Sequence, residues 1–514
     1  MRTATPLLLT LLTTLTVGCA SLPSLEGRPQ TTALTDTQDT RLGRGLAKRI
    51  AAHPGKSGIY ALPEAKNAYA ARLVLAAAAD KSLDVQYYIW NGDQAGYLLF
   101  GALWLAAERG VRVRLLLDDN GVTGLDDVLA TLDAHPNIEV RLYNPFTIRS
   151  VRGLNYLTDF SRLNRRMHNK SMTADNQVTI VGGRNIGNEY YALGSGVWFR
   201  DLDAIMVGPA VHEVSREFDL YWNSNSAYPV AGLLAAPGPG ARDALLAKIK
   251  EVRADPLSET YIEALRQTPL ARELEAGEVP FDWATARVFY DDPAKTLDES
   301  GQKDILLLSR LLGDVGRAEH SFDLVSPYFV PGEDGTHELV AAAQRGLKIR
   351  VLTNSLEATD VSAVHAGYAK RRKDLLRGGI VLYELRPVET DEEKKKRRAL
   401  GGSSGASLHA KTFAIDGRRL FVGSFNFDLR SAELNTELGV LIDDPALAER
   451  LVHMFAQEVR TVAYEVRLDK DGDLIWTQRN PDGSEKTYTS EPHVGIFTRA
   501  WVGFLSLFPI DWML

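Results

Sequence analysis

An eight-residue pattern, H-x-K-x-x-x-x-D, occurs twice in this chain and constrains its fold more than any other feature. The two copies contribute matching side chains: His168, Lys170 and Asp175 in the first, and His409, Lys411 and Asp416 in the second. Strand alternation places the histidine and lysine of each copy on one face, whereas the aspartate has the opposite parity and begins a turn. Each copy therefore predicts a β-hairpin with histidine and lysine aimed together and aspartate at the bend.

The return strand of each hairpin ends in small residues followed by an amide. The first copy is followed by Gly182-Gly183-Arg184-Asn185, and the second by Gly423-Ser424-Phe425-Asn426. A small residue lets the backbone approach a ligand, and an amide can bind oxygen. We therefore expect Asn185, Ser424 and Asn426 to help to bind a phosphate.

Displacement at phosphorus explains why the motif is doubled. An in-line reaction needs a nucleophile on one side and a proton donor for the leaving oxygen on the other, and one imidazole cannot occupy both places. Two related halves that face each other supply both groups. Their two lysines can neutralise the non-bridging phosphate oxygens.

The doubled motif resembles that of the phospholipase D superfamily, and the residues around it resemble the cardiolipin synthase C type. The flanking stretches that carry this resemblance are Arg165-Arg166-Met167-His168-Asn169-Lys170, Val181-Gly182-Gly183-Arg184-Asn185-Ile186-Gly187-Asn188-Glu189, Leu408-His409-Ala410-Lys411-Thr412, Gly423-Ser424-Phe425-Asn426-Phe427-Asp428-Leu429-Arg430-Ser431 and Asn435-Thr436-Glu437. The resemblance covers most of the chain after about residue 60. It implies a phosphatidyltransferase that makes cardiolipin from two phospholipids through a phosphatidyl-histidine intermediate.

The resemblance also implies roles for the two histidines. His168 would be the nucleophile and His409 the general acid, then base, although the symmetry of the motifs allows the reverse order. Two carboxylates, Asp201 and Glu437, can each hold an imidazole by its second nitrogen. The resemblance favours Glu437 over Asp201, because Asp203 competes with Asp201 for that role. Parity indicates that Asp175 and Asp416 hold their hairpins and do not touch substrate.

A repeat of secondary structure extends the duplication beyond the motifs. A strand over Leu83–Trp90, a helix over Ala95–Arg109 and strands over Val111–Leu117 and Ile138–Tyr143 precede the first motif, and the same order precedes the second. The sequence predicts an α/β fold of two pseudo-symmetric halves, each a mixed sheet flanked by helices, around one shared active site. The expected divisions are a signal peptide at 1–18, a tether at 19–45, the first half at 46–235, a connector at 236–300, the second half at 301–465, and a β meander with an aromatic tail at 466–514.

The N-terminus resembles a bacterial lipoprotein signal. Arg2 supplies a positive charge, Pro6 to Val17 an apolar stretch, and Gly18-Cys19 a cleavage site after a small residue. Cys19, the only cysteine of the chain, would carry the lipid, and multiple acyl chains would anchor the protein firmly. Ala20 after it implies the periplasmic face of the outer membrane. The alternative is an ordinary secretory signal with an incidental cysteine.

Charge and composition separate the remaining alternatives. The net charge of −7 provides no global basic field, so we expect no nucleic-acid partner, and a phosphodiesterase acting on nucleic acid is a weaker reading. Phospholipid hydrolysis differs only in using water as acceptor. A non-catalytic lipid-binding lipoprotein would not need two intact His–Lys pairs. We expect phospholipid substrates, a membrane surface, no cofactor and no metal; the sequence specifies no accessory protein.

The aromatic tail allows two interpretations. It closes the chain from Trp501 to Leu514 with three further aromatic residues, and it is too short to span a bilayer. Packing over the domain is the simpler interpretation. The alternative is a surface helix that enters the bilayer interface.

The lipoprotein interpretation predicts the effect of removing Cys19. The substitution Cys19→Ala should block lipid modification and release most of the protein from membranes, because the acyl chains provide the anchor. Fractionation of cells and the intact mass of the purified protein measure both effects. A variant that stays fully membrane-bound with an uncleaved N-terminus would contradict the assignment.

Overall fold

The computed structural model describes residues 21–194, 199–276, 278–297, 306–387, 407–480 and 482–508. The predicted signal peptide and Cys19 lie outside these residues, as does the end of the aromatic tail. The described chain is a mixed α/β structure in which the order of elements in one half recurs in the other, which confirms the predicted fold class.

The described part of the first half contains nine strands and six α-helices. The strands are β1 Ser57–Leu62, β2 Ser82–Ile89, β3 Arg112–Gly121, β4 Ile138–Tyr143, β5 Ser171–Ala174, β6 Val178–Gly182, β7 Phe199–Arg200, β8 Asp203–Val207 and β9 Ala227–Pro229. The helices are α1 Arg41–Ala51, α2 Ala65–Ala78, α3 Gln94–Glu108, α4 Asp126–Asp133, α5 Phe160–Leu163 and α6 Pro209–Trp222. Short 3₁₀ helices lie at Arg152–Leu157, Asn188–Tyr190 and Val230–Gly232.

The described part of the connector contributes three helices, one long strand and a 3₁₀ turn. These are α7 Ala241–Ala254, α8 Pro256–Arg266, α9 Pro269–Ala276, β10 Asp282–Tyr290 and the 3₁₀ turn Pro293–Thr296. Strand β10 has nine residues and is the longest extended segment of the described connector.

The remaining elements repeat the first half and then extend it. The strands are β11 Ser321–Val325, β12 Phe329–Val330, β13 Lys348–Asn354, β14 Val381–Leu385, β15 Ser407–Leu408, β16 Lys411–Ile415, β17 Arg419–Gly423, β18 Phe427–Asp428, β19 Leu438–Asp443, β20 Ala463–Leu468, β21 Leu474–Arg479 and β22 Glu485–Tyr488. The helices are α10 Leu307–Val315, α11 Gly332–Gln344, α12 Ser362–Arg377, α13 Leu429–Glu433, α14 Pro445–Gln457, α15 Val459–Val462 and α16 Ile496–Leu505.

The two sheets have the same strand order. The first runs β8-β6-β5-β2-β3-β4-β9, and the second runs β19-β17-β16-β11-β13-β14-β20. The three consecutive strands β2, β3 and β4 are parallel, as are β11, β13 and β14, and the other pairs in these sheets are antiparallel. Each motif hairpin, β5–β6 or β16–β17, therefore lies beside the first parallel strand of its half.

Strand β10 joins the two sheets into one. Its first residues, Asp282–Ala284, pair with β1, which in turn pairs with β8 of the first half. Its later residues, Thr285–Tyr290, pair with β19 of the second half. A buried apolar cluster then fills the space between the halves, with Val181 and Met206 from one side and Val422 and Leu438 from the other. Burial of this surface stabilises the docking of the halves.

The motif aspartates hold the hairpins to the start of the neighbouring strand. Asp175 accepts hydrogen bonds from the backbone N–H groups of Asp80, Lys81 and Ser82 at 2.7–2.9 Å, and Asp416 accepts from those of Glu319, His320 and Ser321 at 2.7–3.1 Å. Both aspartates adopt positive φ, at 52° and 55°, as a tight two-residue hairpin turn requires. They lie at the end of each hairpin away from its histidine.

Part of the expected tether is packed against the first half. The Arg28 guanidinium donates to the carbonyl oxygens of Asn223 and Ser224, and the Ala33 N–H donates to the Asp219 carboxylate. The buried Arg114 reaches the Thr31 carbonyl. The prediction of a free tether through residue 45 is therefore corrected over residues 28–45, because side chains of the first half satisfy its polar backbone and α1 begins at Arg41.

The C-terminal strands are antiparallel neighbours and extend the second sheet. Strand β20 pairs with β14, β21 pairs with β20, and β22 pairs with β21, all antiparallel. Helix α16 follows and packs on the second half through Val502. Within the described residues, none of the helices has the length and apolar character needed to cross a bilayer.

The contacts of Asp175 predict a role in stability. Asp175→Ala should lower the free energy of unfolding by about 2–4 kcal/mol, because it leaves buried N–H groups of the chain before β2 without an acceptor. Urea unfolding of the purified protein measures this change. Asp175→Asn is the matched control, since it keeps an acceptor and tolerates positive φ, and it should lose clearly less. Equal stability of the alanine variant and the parent would contradict this role.

Candidate active site

Two exchanged backbone pairings bring the motifs of the two halves together. Met167, which precedes His168, forms a parallel bridge with Thr436, and the His168 N–H donates to the Thr436 carbonyl at 2.9 Å. In the equivalent contact of the second motif, β15 pairs in parallel with β7, and the His409 N–H donates to the Arg200 carbonyl at 2.8 Å. Each histidine therefore lies beside a strand of the opposite half.

Each histidine is held by a carboxylate from the other half. The His168 Nδ1 atom lies 2.9 Å from Glu437 Oε2, and the His409 Nδ1 atom lies 2.5 Å from Asp201 Oδ2. All four side chains are buried. Because Nδ1 is engaged in both rings, Nε2 is the nitrogen available for chemistry in each. Asp203, the competing carboxylate, is instead paired with Arg72 at 2.8 Å.

The small residues after each return strand make room for these carboxylates. A Cβ atom on Gly183 would lie 2.2 Å from an oxygen of Asp201, so a side chain there would displace the carboxylate that holds His409. The aligned residue in the second half is Ser424, and its hydroxyl donates to Glu437. The structure thus directs the Ser424 hydroxyl to the carboxylate that holds His168, and a role of Ser424 in phosphate binding stays a prediction.

Side chains at the ends of two parallel strands fix the residues before the histidines. Asp118, in β3, accepts from the Met167 N–H at 2.8 Å and from the buried Arg166 guanidinium. Asn354, at the end of β13, accepts from the Leu408 N–H and donates to the Leu408 carbonyl, both at 3.0 Å. Sequence reasoning missed both residues, although their aligned positions in the repeat were a usable signal.

Residues of the connector hold Glu437 in its position. Asp291 accepts from the Glu437 N–H at 2.9 Å and forms a buried ion pair with Lys295 at 3.1 Å. Lys295 also donates to the Ser431 carbonyl, and the Ser431 hydroxyl donates to Glu437 at 2.7 Å. Nothing in the sequence identified Asp291, because its role depends on how β10 crosses between the sheets.

The two lysines are buried without a full complement of negative charge. Lys170 Nζ donates to the His168 carbonyl at 2.5 Å, and Lys411 Nζ donates to the His409 carbonyl and lies 3.0 Å from His409 Nδ1. Burial lowers the pKa of Lys170 well below its ordinary value and that of Lys411 to about 8, while Glu437 and Asp201 act in the opposite direction. An anion that enters the site would raise the pKa values of both ammonium groups.

Burial and the lysines together keep the imidazoles neutral in the free site. The pKa of His168 lies well below its usual value because of burial, Lys170 and Lys411, and burial with Lys411 lowers that of His409 to about 4. Each lysine therefore acts on the histidine of the opposite motif as well as its own, which shows that the motifs form one site. A neutral imidazole is the form that can attack phosphorus.

The two carboxylates differ in their protonation. Burial raises the pKa of Glu437 to about 7, against the opposing effect of Lys170 and two serine hydroxyls. Burial also acts to raise the pKa of Asp201, but the charge and hydrogen bond of His409 outweigh it, and the pKa lies below its ordinary value. The stronger anion therefore lies beside His409, where it stabilises a positively charged imidazolium.

The two amides are placed differently. Asn185 accepts from the Ile89 N–H at 3.1 Å and donates to the Tyr190 hydroxyl at 3.0 Å, so it is tied into the first half. Asn426 is buried, and its carbonyl oxygen has no hydrogen-bond partner in the described chain. Of the two, Asn426 therefore has the free acceptor, which suits a substrate hydroxyl.

Aromatic rings pack against both imidazoles. Tyr88 lies edge-on to His168 with the ring centroids 5.0 Å apart, while Tyr190 and Phe199 lie 5.2 and 5.1 Å from His409. On β2, Tyr87 is buried in the core, whereas Tyr88 borders the site. These rings help to exclude water around the histidines.

Comparison with known proteins gives consistent matches. Residues 74–222 and 311–459, together more than half of the chain, match the family model "Cardiolipin synthase, PLD-like domain". The chain is 45% identical over 92% of its length to the whole of cardiolipin synthase C of Escherichia coli (strain K12). It is 25% identical over 76% of its length to the major cardiolipin synthase of Bacillus subtilis (strain 168), covering 67% of that protein.

A solved structure shares the fold. The crystal structure of phosphatidylserine synthase of Haemophilus influenzae Rd KW20 superimposes with a TM-score of 0.56 over 92% of this chain and all of that one, at 14% identity. This likeness supports the two-half architecture described above.

The lowered pKa of Lys411 predicts a pH dependence. Lys411 is charged below about pH 8 and neutral above it, so kcat/KM for a soluble phosphodiester should fall by about tenfold per pH unit as the pH rises beyond that value. Lys411→Arg keeps its charge at all these pH values and should remove this alkaline decline, even if its maximum is lower. A pH profile of both proteins decides the matter. An unchanged decline in the arginine variant would exclude Lys411 as its cause.

Proposed function

Since the chain belongs to the cardiolipin synthase family with PLD-like domains, we propose that it is a phosphatidyltransferase that makes cardiolipin from two phospholipids. The observation that carries this proposal is the exchanged arrangement of two imidazoles, each held at Nδ1 by a carboxylate of the other half, beside two buried lysines. Such a site is suited to a phosphodiester anion and to displacement from two sides.

In the first step, His168 attacks the donor phosphorus. Its Nε2 forms a P–N bond while the bond from phosphorus to the headgroup oxygen breaks, and His409 gives that oxygen its proton. Lys170 and Lys411 balance the non-bridging oxygens, and Asn426 contributes its amide. Binding of the anion raises the pKa of His409, and Asp201 stabilises the resulting imidazolium.

In the second step, a hydroxyl on the headgroup of another phospholipid attacks the phosphatidyl-histidine. His409, now neutral, takes the proton of that hydroxyl, the new P–O bond forms, and the P–N bond to His168 breaks. Hydrolysis would use water in place of this hydroxyl. The aromatic rings around both histidines favour a lipid acceptor, because they limit the access of water to the intermediate.

The assignment of the nucleophile to His168 rests on the family pattern and on charge. Glu437, with its raised pKa, leaves His168 without a strong anion beside it, whereas Asp201 is suited to a charged His409. The neutral partner makes the better nucleophile and the charged one the better acid.

We further propose that the protein acts at the periplasmic face of the outer membrane, held there by lipid on Cys19. The support is the sequence of the N-terminus, which has a positive charge, an apolar stretch and Gly18-Cys19 in that order. Phospholipid substrates lie in the same membrane, so an anchored enzyme would meet them without leaving it.

Two alanine variants test the reaction and the order of the histidines. A phosphodiester with p-nitrophenol as leaving group needs no proton donor, so His409→Ala should release about one equivalent of nitrophenol and retain a phosphoryl adduct on His168, because the base for the second step is missing. His168→Ala should release none. Absorbance and the intact mass of the protein measure both. A burst and an adduct in His168→Ala instead would reverse the roles.

Product analysis tests the choice of acceptor. The purified protein is incubated with vesicles that contain phosphatidylglycerol alone or mixed with phosphatidylethanolamine, and lipids are identified by mass spectrometry. Cardiolipin should accumulate, and both histidine variants should make none. Phosphatidic acid without cardiolipin would establish hydrolysis instead.

A further inference from the structure

Helix α16 presents an apolar stripe to solvent. Phe497, Trp501 and Phe504 follow one another at spacings of four and three residues and therefore share one face of the helix, and Phe508, just after the helix, packs edge-on against Phe504. Phe497 is 88% exposed and Trp501 is 53% exposed. Val502, on the opposite face, is buried against Leu356 and Ala366 of the second half. The helix is thus held to the protein by one side and leaves its aromatic side open.

A second apolar stripe lies on the first half. Val151, Leu154, Leu157 and Phe160 are all exposed, and Leu157 reaches 81%. They recur every three residues over the 3₁₀ helix Arg152–Leu157 and its flanks, which is the period that places side chains on one face of a 3₁₀ helix. Exposed large apolar side chains grouped in this way mark an interaction surface.

Both stripes rest on equivalent segments at the carboxyl edge of the parallel strands, which is the edge that carries His168 and His409. The first is fixed by Arg152, which donates to the carbonyl oxygen of Asp119, directly after the Asp118 that holds the residue before His168. The second rests on Leu356, two residues after the Asn354 that holds the residue before His409. Each stripe therefore lies at the carboxyl end of the middle parallel strand of its half, which is β3 in the first half and β13 in the second.

The charges around the stripes suit a phospholipid surface. Residues 494–508 contain Arg499 and no acidic residue. Beside the first stripe, Arg149 and Arg152 are ion-paired with Asp119 and Asp126, so their charges are balanced and this stripe contributes apolar surface. Lys370 of α12 donates to the Phe508 carbonyl at the end of α16. The exposed aromatic face of α16, with a basic residue in the same helix, is the pattern of a helix that lies in the interface of an anionic bilayer.

We propose that these two stripes dock together on the phospholipid bilayer and hold the mouth of the active site against the lipid headgroups. The proposal rests on the proposed function, which places the substrates in that bilayer, but the binding itself needs no catalysis. The two stripes come from different halves, so their joint contact fixes the orientation of the molecule as well as its distance from the membrane. Burial of their side chains in the interface supplies the free energy.

Vesicle binding of matched variants tests the docking. All proteins carry Cys19→Ala, which removes the acyl anchor, and His168→Ala, which prevents turnover of the vesicle lipids. One variant replaces Phe497, Trp501 and Phe504 by serine, a second replaces Leu154 and Leu157 by serine, and a control replaces Leu105 and Leu312 by serine. The control leucines are 56% and 51% exposed, and both lie in the last turns of helices that lead to the opposite edge of the sheet.

The expected result is a selective loss of binding. Sedimentation with vesicles of equal parts phosphatidylglycerol and phosphatidylcholine should show at least about tenfold weaker binding for each stripe variant and no change for the control. With His168 restored, the stripe variants should keep their turnover of a soluble short-chain phospholipid and lose turnover on vesicles. Their melting temperatures should match that of the control.

Three outcomes would overturn the docking proposal. Vesicle binding equal to that of the control would show that the stripes do not meet lipid. A lowered melting temperature with equal loss on both substrates would show that α16 packs against protein. A dimer that dissociates in the α16 variant would show that the stripe binds a second copy. Absence of turnover in the parent would refute the proposed function alone, because the binding assay uses inactive protein.

Discussion

The exchange of carboxylates between the two halves is the interaction on which the rest of the structure depends. His168 and Glu437 are 269 residues apart in sequence, yet their side chains are in direct contact, and His409 with Asp201 repeats the contact in reverse. Both contacts can form only if the two halves pack against each other in one relative position, which we call their register. The strand β10, the parallel bridges beside each motif and the apolar cluster between the sheets all serve that register.

The electrostatic character of the site follows from the same docking. Two imidazoles, two ammonium groups and two carboxylates are enclosed together, and burial shifts the pKa values of the lysines and histidines downwards. Until an anion enters, the positive charges of the buried lysines are not fully compensated. A phosphodiester anion compensates these charges, so the free energy lost in burying the lysines is recovered as selectivity for phosphate. Because the pKa values of Asp201 and Glu437 differ, the two otherwise similar histidines lie beside carboxylates of different charge.

Much of this was predictable from sequence, and the gaps have physical causes. The hairpins, the positions of β2, α3, β3 and β4, and the role of Asp175 in its turn follow from local periodicity and turn chemistry, which act over a few residues. The support of Glu437 by Asp291 was not predictable, since it arises where β10 crosses between sheets. Likewise, Ser424 turns its hydroxyl to Glu437, and residues 28–45 pack on the domain, because of tertiary neighbours that local patterns do not reveal.

The long sequence separation of each histidine from its carboxylate also bears on biosynthesis. A chain that emerges N-terminus first exposes His168 well before Glu437 exists, and contacts of such high sequence separation form late in folding. Until then, the imidazole lacks the partner that orients it, and the opposing proton donor is absent as well. Catalytic competence therefore arrives only with the completed fold. Partly folded or truncated chains would therefore lack the complete site and leave phospholipids unchanged.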